Sequence, residues 1–152
     1  GSEMCIRDRL FIDVDDFKFI NDRFGHSVGD EVIKYVAGCI KQRVKGSGFA
    51  GRFGGDEFVL CITDPKQIEE IESLSLDLID ELYEGYHSEL ANVSINVKAS
   101  IGIAFYPEHG DDSNKVVAAA DEAMYFVKKN GKANYHIYQP EDSEMEDLQH
   151  TL

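Results

Sequence analysis

The 152-residue chain has no tryptophan, few prolines and few cysteines, and its positive charge is sparse, with 15 Lys and Arg against 29 Asp and Glu. A formal net charge of −14 argues against a protein that binds nucleic acid through its general field, because that mode needs many cations facing phosphates. A small anionic ligand is still compatible with this net charge if metal ions or a few lysines at the binding site neutralise the charge of the ligand. Cys5, Cys39 and Cys61 are far apart and lack metal-ligand spacing, so we interpret them as reduced thiols of a cytoplasmic protein.

Long apolar runs are also missing. No stretch of about 18 apolar residues occurs, and no basic start leads into one, so the sequence predicts neither a membrane-spanning helix nor a signal peptide. We expect no membrane contact by this domain, and a membrane anchor elsewhere in a parent protein stays compatible with that. Residues 1–9 are interpreted as a tag scar and a doubtful start, residues 10–139 as one domain, and residues 140–152 as an acidic tail or linker.

Hydrophobic periodicity predicts an α/β or α+β domain with one mixed sheet covered by helices. Alternating or short apolar runs predict strands at 10–14, 49–53, 58–63, 93–97, 100–106 and 135–138. Three- and four-residue apolar spacing predicts helices at 27–44, 64–85 and 113–129. Ser27 is the residue type that suits the N-terminus of the first helix.

Acidic residues follow the first predicted strand and form the tip of the predicted hairpin: Asp13, Asp15 and Asp16, then Asp56 and Glu57. If the two strands are neighbours, these carboxylates converge, and two of them about 4 Å apart repel by about 4 kcal/mol at an effective dielectric of about 20. Such a cluster favours Mg²⁺ or Mn²⁺ over zinc, and Mg²⁺ is commonly shared with a substrate phosphate. A solvated turn is the alternative interpretation, since Asp is common in turns.

The hairpin glycines Gly54 and Gly55 are either plain turn residues or a place where a ligand approaches the backbone closely. Asn21 and Asp30 flank the segment 24–30, which we interpret as a loop. Asn and Asp side chains there can read a guanine edge through hydrogen bonds, although helix capping or surface exposure explains them almost as well.

Lys128 and Lys132 lie four residues apart at the end of the last predicted helix. Cations at that position offset the helix dipole, and they are also candidates for phosphate contact. Lys18 is a further candidate for the same role.

The segment RFGGDEF at 52–58 resembles the motif of the GGDEF diguanylate cyclase family. FIDVDDFKFINDRFGHSVGD, SIGIAFYPEHGDD and ADEAMYFVKKNGKAN are similar to further family segments in the same order, so the resemblance runs from about Leu10 to Tyr138. It implies a fold like the polymerase palm and the nucleotidyl cyclases, with a mixed, mainly antiparallel central sheet flanked by helices. It also implies condensation of two GTP into cyclic di-GMP and two pyrophosphates.

By this resemblance, Mg²⁺ or Mn²⁺ is the cofactor, held by Asp13, the Val14 carbonyl and Asp56. Asp56 and Glu57 are the implied catalytic pair, and Glu57 is a further metal ligand or helps to activate the ribose 3′-hydroxyl. The implied substrate-binding residues are Phe17, Lys18, Asn21, Asp30, Gly54, Gly55, Lys128 and Lys132. Each domain would hold one GTP, so the reaction requires a transient or regulated homodimer.

Several family features differ. The family's early helix and its DxLTGLxNR segment do not occur in the chain, no sensory domain occurs in it, and Lys132 stands where Arg is more usual. The inhibitory RxxD motif would fall on residues 45–48, which read KGSG, so we predict no product inhibition there. The alternative function is a catalytically silent GTP-binding module that regulates an attached domain. A module that only binds product is disfavoured by KGSG.

Overall fold

The computed structural model describes residues 8–64 and 67–143 of the chain. The strands are β1 (Asp8–Val14), β2 (Gly48–Arg52), β3 (Glu57–Ile62), β4 (Tyr86–Ser88), β5 (Val93–Ile95), β6 (Ala99–Ala104) and β7 (Tyr135–Ile137). The helices are α1 (Phe17–Phe24), α2 (His26–Val44), α3 (Ile68–Glu84) and α4 (Ser113–Lys129). The predictions for residues 1–7 with Cys5, for Pro65 and for the tail from 144 lie outside the described residues.

The central sheet has five strands in the order β2-β3-β1-β6-β7. All neighbouring pairs are antiparallel except β6 and β7, which are parallel. The predicted mixed, mainly antiparallel sheet with flanking helices is therefore confirmed. Because β1 lies in the middle, its C-terminal end is bordered by β3 on one side and β6 on the other.

The two faces of β1 are buried under different helices. Leu10 and Ile12 belong to a large core cluster with the apolar residues of α2 and α3, whereas Phe11 belongs to a second cluster with α4. Successive strand side chains point to opposite faces, so an uninterrupted apolar run is what a sheet covered on both sides requires. All six residues of β6 are buried for the same reason.

Helix α1 was not predicted from the sequence, and the interpretation of 24–30 as a loop is wrong. Residues 26–30 form the first turns of α2, and Gly25 alone, at φ 92°, separates the two helices. Ser27, the residue predicted to suit the N-terminus of this helix, lies in its first turn, and Gly25 is the N-cap of α2. A two-turn helix offers too few positions for apolar periodicity to stand out, and only Ile20 in α1 is fully buried.

Strand β1 begins two residues before the predicted Leu10. Arg9 is only 6% exposed, and its guanidinium donates hydrogen bonds to Cys61 Sγ at 2.8 Å and Ser113 Oγ at 3.1 Å. A charged residue can therefore occupy a buried strand position here because neighbouring polar atoms accept its donors.

Around the other predicted elements, the differences are local. Helix α3 begins at Ile68 rather than at 64, with a capping box between Gln67 and Glu70. The predicted strand at 93–97 is shorter, and β5 pairs with the unpredicted β4 in a separate two-stranded sheet. The start of the predicted tail packs on the domain, because the buried Asp142 carboxylate lies 3.0 Å from His136 Nε2.

Within the described parts of the chain, no helix combines the length and the apolar character needed to cross a membrane. Neither Cys39, which is half-buried, nor Cys61, which is buried and accepts a hydrogen bond from Arg9, forms a disulfide. Burial raises the pKa of the Cys39 thiol to about 11.

Candidate active site

The carboxylates predicted to converge are carried by the paired ends of β1 and β3. Asp13 lies directly opposite Glu57 in the register of the two strands. The Val14 amide donates to the Asp56 carbonyl at 3.1 Å, which closes the ladder beside the hairpin turn. Antiparallel pairing of a buried strand with the hairpin therefore brings the first acidic group next to the second.

Asp13 is held in an environment that penalises its negative charge. Burial raises its pKa to about 7, and the nearby Asp56 carboxylate adds to this, while the Lys128 ammonium opposes it. Lys128 Nζ lies 3.2 Å from Asp13 Oδ2, whereas Asp13 Oδ1 is buried and has no hydrogen-bond partner. A buried carboxylate oxygen without a donor is suited to receive a cation.

Asp15 organises this end of the sheet, a role that the sequence reasoning missed. Its side chain is fully buried, and it accepts hydrogen bonds from Lys128 Nζ at 2.5 Å, Ser100 Oγ at 2.7 Å and the Ala133 amide at 3.0 Å. These donors come from α4, β6 and the loop before β7. The Asp15 carboxylate therefore fixes Lys128 beside Asp13, and the only sequence signal for it was its place in the DVDD run.

Glu57 is near the other acidic residues, but its carboxylate does not converge with theirs on a common position. Its carboxylate lies over the hairpin, where a Cβ built at Gly54 would be 3.2 Å from Glu57 Oε2. Burial raises the pKa of Glu57, and so do the charges of Asp56 and Asp121. Among the described residues, no three His, Cys, Asp or Glu side chains form a ready metal-binding group, so Asp13, Asp56 and Glu57 are not preassembled.

Lys132 lies on the same side as Lys128, in the loop after α4. Its Nζ is 2.9 Å from Asp16 Oδ1, and this bond holds the pKa of Asp16 below its usual value. Both side chains are largely exposed, so the pair is a weak one. The two lysines are thus each paired with an aspartate of the β1–α1 junction.

The hairpin turn is shaped by Arg52. Its guanidinium donates to the carbonyl of Gly54 at 3.1 Å and to that of Gly55 at 2.5 Å. Phe53 is exposed and packs edge-on against Phe11, with ring centroids 5.3 Å apart. Nothing lies within 4 Å of a Cβ built at Gly55, which leaves open space above the turn.

The residues predicted to read guanine belong to the α1–α2 pair rather than to a loop. Asn21 is half-buried on α1, and its Oδ1 is buried with no hydrogen-bond partner. Asp30 is exposed in the second turn of α2. Phe17 is partly buried against the core and Lys18 is exposed, both in the first turn of α1.

Comparison with known families decides the identity of this fold and motif. Residues 8–134 match the family model described as diguanylate cyclase, GGDEF domain. The chain belongs to the GGDEF family. The resemblance carried by RFGGDEF is thereby confirmed; the match begins two residues before Leu10 and ends at residue 134, four residues before Tyr138.

Relatives and solved structures agree with the GGDEF assignment. The GGDEF domain is 35% identical over 130 residues to the bifunctional diguanylate cyclase/cyclic di-GMP phosphodiesterase MucR of Pseudomonas aeruginosa, covering 86% of this chain and 18% of MucR. It is 34% identical over 130 residues to the diguanylate cyclase DosC of Escherichia coli K12, covering 85% of this chain and 28% of DosC. It superposes on the GGDEF domain of TpbB (YfiN) from P. aeruginosa with a TM-score of 0.88 and 30% identity, covering 93% and 81% of the two chains.

The chain thus spans less than a third of either curated relative. MucR carries two named activities. Membership of the family therefore does not by itself establish the activity of this GGDEF domain, which has to be argued from its residues.

Proposed function

We propose that this GGDEF domain is an active diguanylate cyclase, which condenses two GTP into cyclic di-GMP with release of two pyrophosphates. The observation that carries the proposal is the unpartnered, buried Asp13 Oδ1 beside Asp56 at the base of an intact GGDEF turn. Two acids held together with one oxygen unsatisfied are costly to folding, and such sites are typically retained for binding or catalysis.

The donor set around Asp13 fits a hard divalent cation. The Asp13 and Asp56 carboxylates and the Val14 carbonyl are oxygen ligands, with Glu57 as a further candidate, and this chemistry suits Mg²⁺ or Mn²⁺. When bound, such an ion lowers the pKa of an attacking hydroxyl and neutralises charge on the α-phosphate and on pyrophosphate. The separate position of Glu57 over the turn favours its other role, as an acceptor for the proton of the ribose 3′-hydroxyl.

The remaining residues are assigned to the substrate. Lys128 and Lys132 contact the phosphates of GTP, since each is already anchored by an aspartate that leaves further donors of the ammonium available. Lys18 is the further candidate for contact with the phosphates. It is exposed in the first turn of α1, shortly after Asp15 and Asp16. Asn21 and Asp30 read the guanine edge and Phe17 supports this helix pair from the core side.

A single domain holds one GTP, so two domains must meet, each supplying a 3′-oxygen to the α-phosphate held by the other. Activity is therefore expected to depend on the concentration of a homodimer. We expect purified full chain, given GTP and Mg²⁺, to form cyclic di-GMP with a specific activity that rises with protein concentration. Chromatography of the nucleotides and a pyrophosphate assay measure this, and circular dichroism establishes that the protein is folded.

The alternative is a catalytically silent GTP-binding regulatory module, and the Lys128 bridge between Asp13 and Asp15 is the observation that favours it, since it neutralises part of the metal site. Folded protein that binds GTP but releases no pyrophosphate at any concentration tested would favour this alternative over the cyclase. We further propose that residues 45–48, which lack both ends of RxxD, provide no product-inhibition site.

Gly55→Ala is expected to raise the KM for GTP about 10-fold while leaving the fold unchanged. Its backbone does not require glycine, and a new methyl group meets no protein atom within 4 Å, so any loss must come from a group that enters from outside. Gly51→Ala, at an exposed position in β2 with the same empty surroundings, is the matched control. Equal KM values for both variants, with equal melting temperatures, would show that no nucleotide approaches the turn.

A further inference from the structure

A glycine outside the predicted site controls the position of Asn21. Gly29 lies in α2 and faces α1, where a Cβ built on it would be 1.8 Å from Asn21 Oδ1 and 3.0 Å from Asn21 Cγ. Real Cβ atoms do not approach heavy atoms so closely, so any side chain at residue 29 must displace the Asn21 amide. The same Cβ would be 3.3 Å from Phe17 Cζ, a tight contact that the Phe17 ring would also have to relieve.

The backbone gives no other reason for glycine at this place. Gly29 is in a regular helix and its φ is not positive, so alanine would fit the conformation and favour the helix. Gly29 therefore lowers the intrinsic stability of α2, and the absence of a side chain leaves space for the Asn21 amide.

The amide that occupies this room carries an unsatisfied acceptor. Asn21 Oδ1 is buried and has no hydrogen-bond partner, and leaving such an atom unpaired is unfavourable. On the edge formed by N1 and C2, guanine presents two donors that can satisfy it, the N1 proton and the 2-amino group, whereas adenine presents an acceptor at N1 and has its amino group at C6. A site built around a buried acceptor discriminates strongly against ligands that lack the donor.

We propose that Gly29 is a specificity-determining positioning residue, which sets the Asn21 acceptor for a guanine nucleotide by leaving space behind it. The inference rests on the proposed function, because it takes Asn21 as part of the GTP site. Gly29 would not contact the nucleotide itself, and it would act only through the position of the Asn21 amide.

The test compares Gly29→Ala with Gly38→Ala, which lies in the same helix, is exposed, and has nothing within 4 Å of a built Cβ. Binding of GTP and ATP to the full chain is measured by calorimetry, with Ca²⁺ in place of Mg²⁺ to suppress turnover. For Gly29→Ala we expect the Kd for GTP to rise about 10-fold or more with little change for ATP, so that the preference for GTP collapses. Gly38→Ala should keep the preference and raise the melting temperature by about 2–4 °C.

Asn21→Ala provides the second arm of a double-mutant cycle. Because Gly29 acts through Asn21, adding Gly29→Ala to Asn21→Ala should cause no further loss of preference for GTP. A wild-type preference for GTP that survives in Gly29→Ala, or losses that add in the double variant, would overturn the inference while leaving the proposed function in place. Equal binding of GTP and ATP by the wild type would overturn the assignment of the guanine site itself, and the inference with it.

Discussion

Asp56→Asn is expected to lower the rate of cyclic di-GMP formation by at least about 100-fold without lowering the stability of the protein. Removing a carboxylate that helps to bind a divalent ion removes several kcal/mol of charge stabilisation in the transition state, and each 1.36 kcal/mol is about a tenfold change in rate. Asparagine has nearly the same shape, so the hairpin and its pairing with β1 should persist. The rate is measured from product formation at saturating GTP and Mg²⁺.

The direction in which Asp56→Asn changes the melting temperature distinguishes the loss of a metal ligand from simple unfolding. Asp56 raises the pKa of the buried Asp13, so in the absence of metal the two carboxylates destabilise each other in the folded protein. Asp56→Asn should therefore keep or raise the melting temperature measured in a chelator, as expected where a site is arranged for function at the expense of stability. Asp80→Asn, an exposed change of the same charge on α3, is the control and should leave the rate unaltered.

Two outcomes would count against the assignment. A fully active Asp56→Asn would remove Asp56 from the metal site, whatever the stability result. A variant that melts well below the wild type would instead make Asp56 a structural residue, because its inactivity would follow from loss of the fold.

The parts of the fold that could be predicted are those in which one local pattern decides the structure. Helix α4 occupies the predicted residues because its amphipathic stretch is long and both of its ends are capped. Asp112 is the N-cap, and its side chain accepts a hydrogen bond from the Lys115 amide at 2.9 Å. Asn130 is the C-cap. The pairing of β1 with β3 was expected only on condition that the strands are neighbours, and the structure satisfies that condition.

The parts that could not be predicted depend on partners distant in sequence. Asp15 and Lys128 are 113 residues apart, and nothing local to either indicates that one buried carboxylate fixes one ammonium. The close approach of Asn21 and Gly29 likewise depends on how α1 folds back on α2, and α1 itself was too short to be recognised. Lysines at the end of α4 are, from sequence alone, ordinary partners of the helix dipole.

Gly102→Ala is expected to be strongly destabilising, for a reason that lies in the packing of α4 on β6. A Cβ built at Gly102 would lie 2.0 Å from the Ala120 carbonyl oxygen and 2.2 Å from the Met124 amide nitrogen. Both are backbone atoms of a helix, so no side-chain rotation can relieve the clash. The helix must move away from the sheet.

That movement would be costly because α4 and β6 position the site as well as the core. Overpacking costs about 1–3 kcal/mol and more where backbone must shift, and about 3 kcal/mol corresponds to a melting temperature lower by about 6–12 °C in a domain of this size. Lys128 is carried by α4, and Ser100, which donates to Asp15, is carried by β6, so displacement of the helix also separates the Lys128 ammonium from Asp13. Thermal denaturation should reveal the loss, whereas Gly51→Ala in β2, with nothing near its built Cβ, should melt at or slightly above the wild type. A Gly102→Ala variant that melts with the wild type would mean that α4 does not rest directly on the backbone of β6.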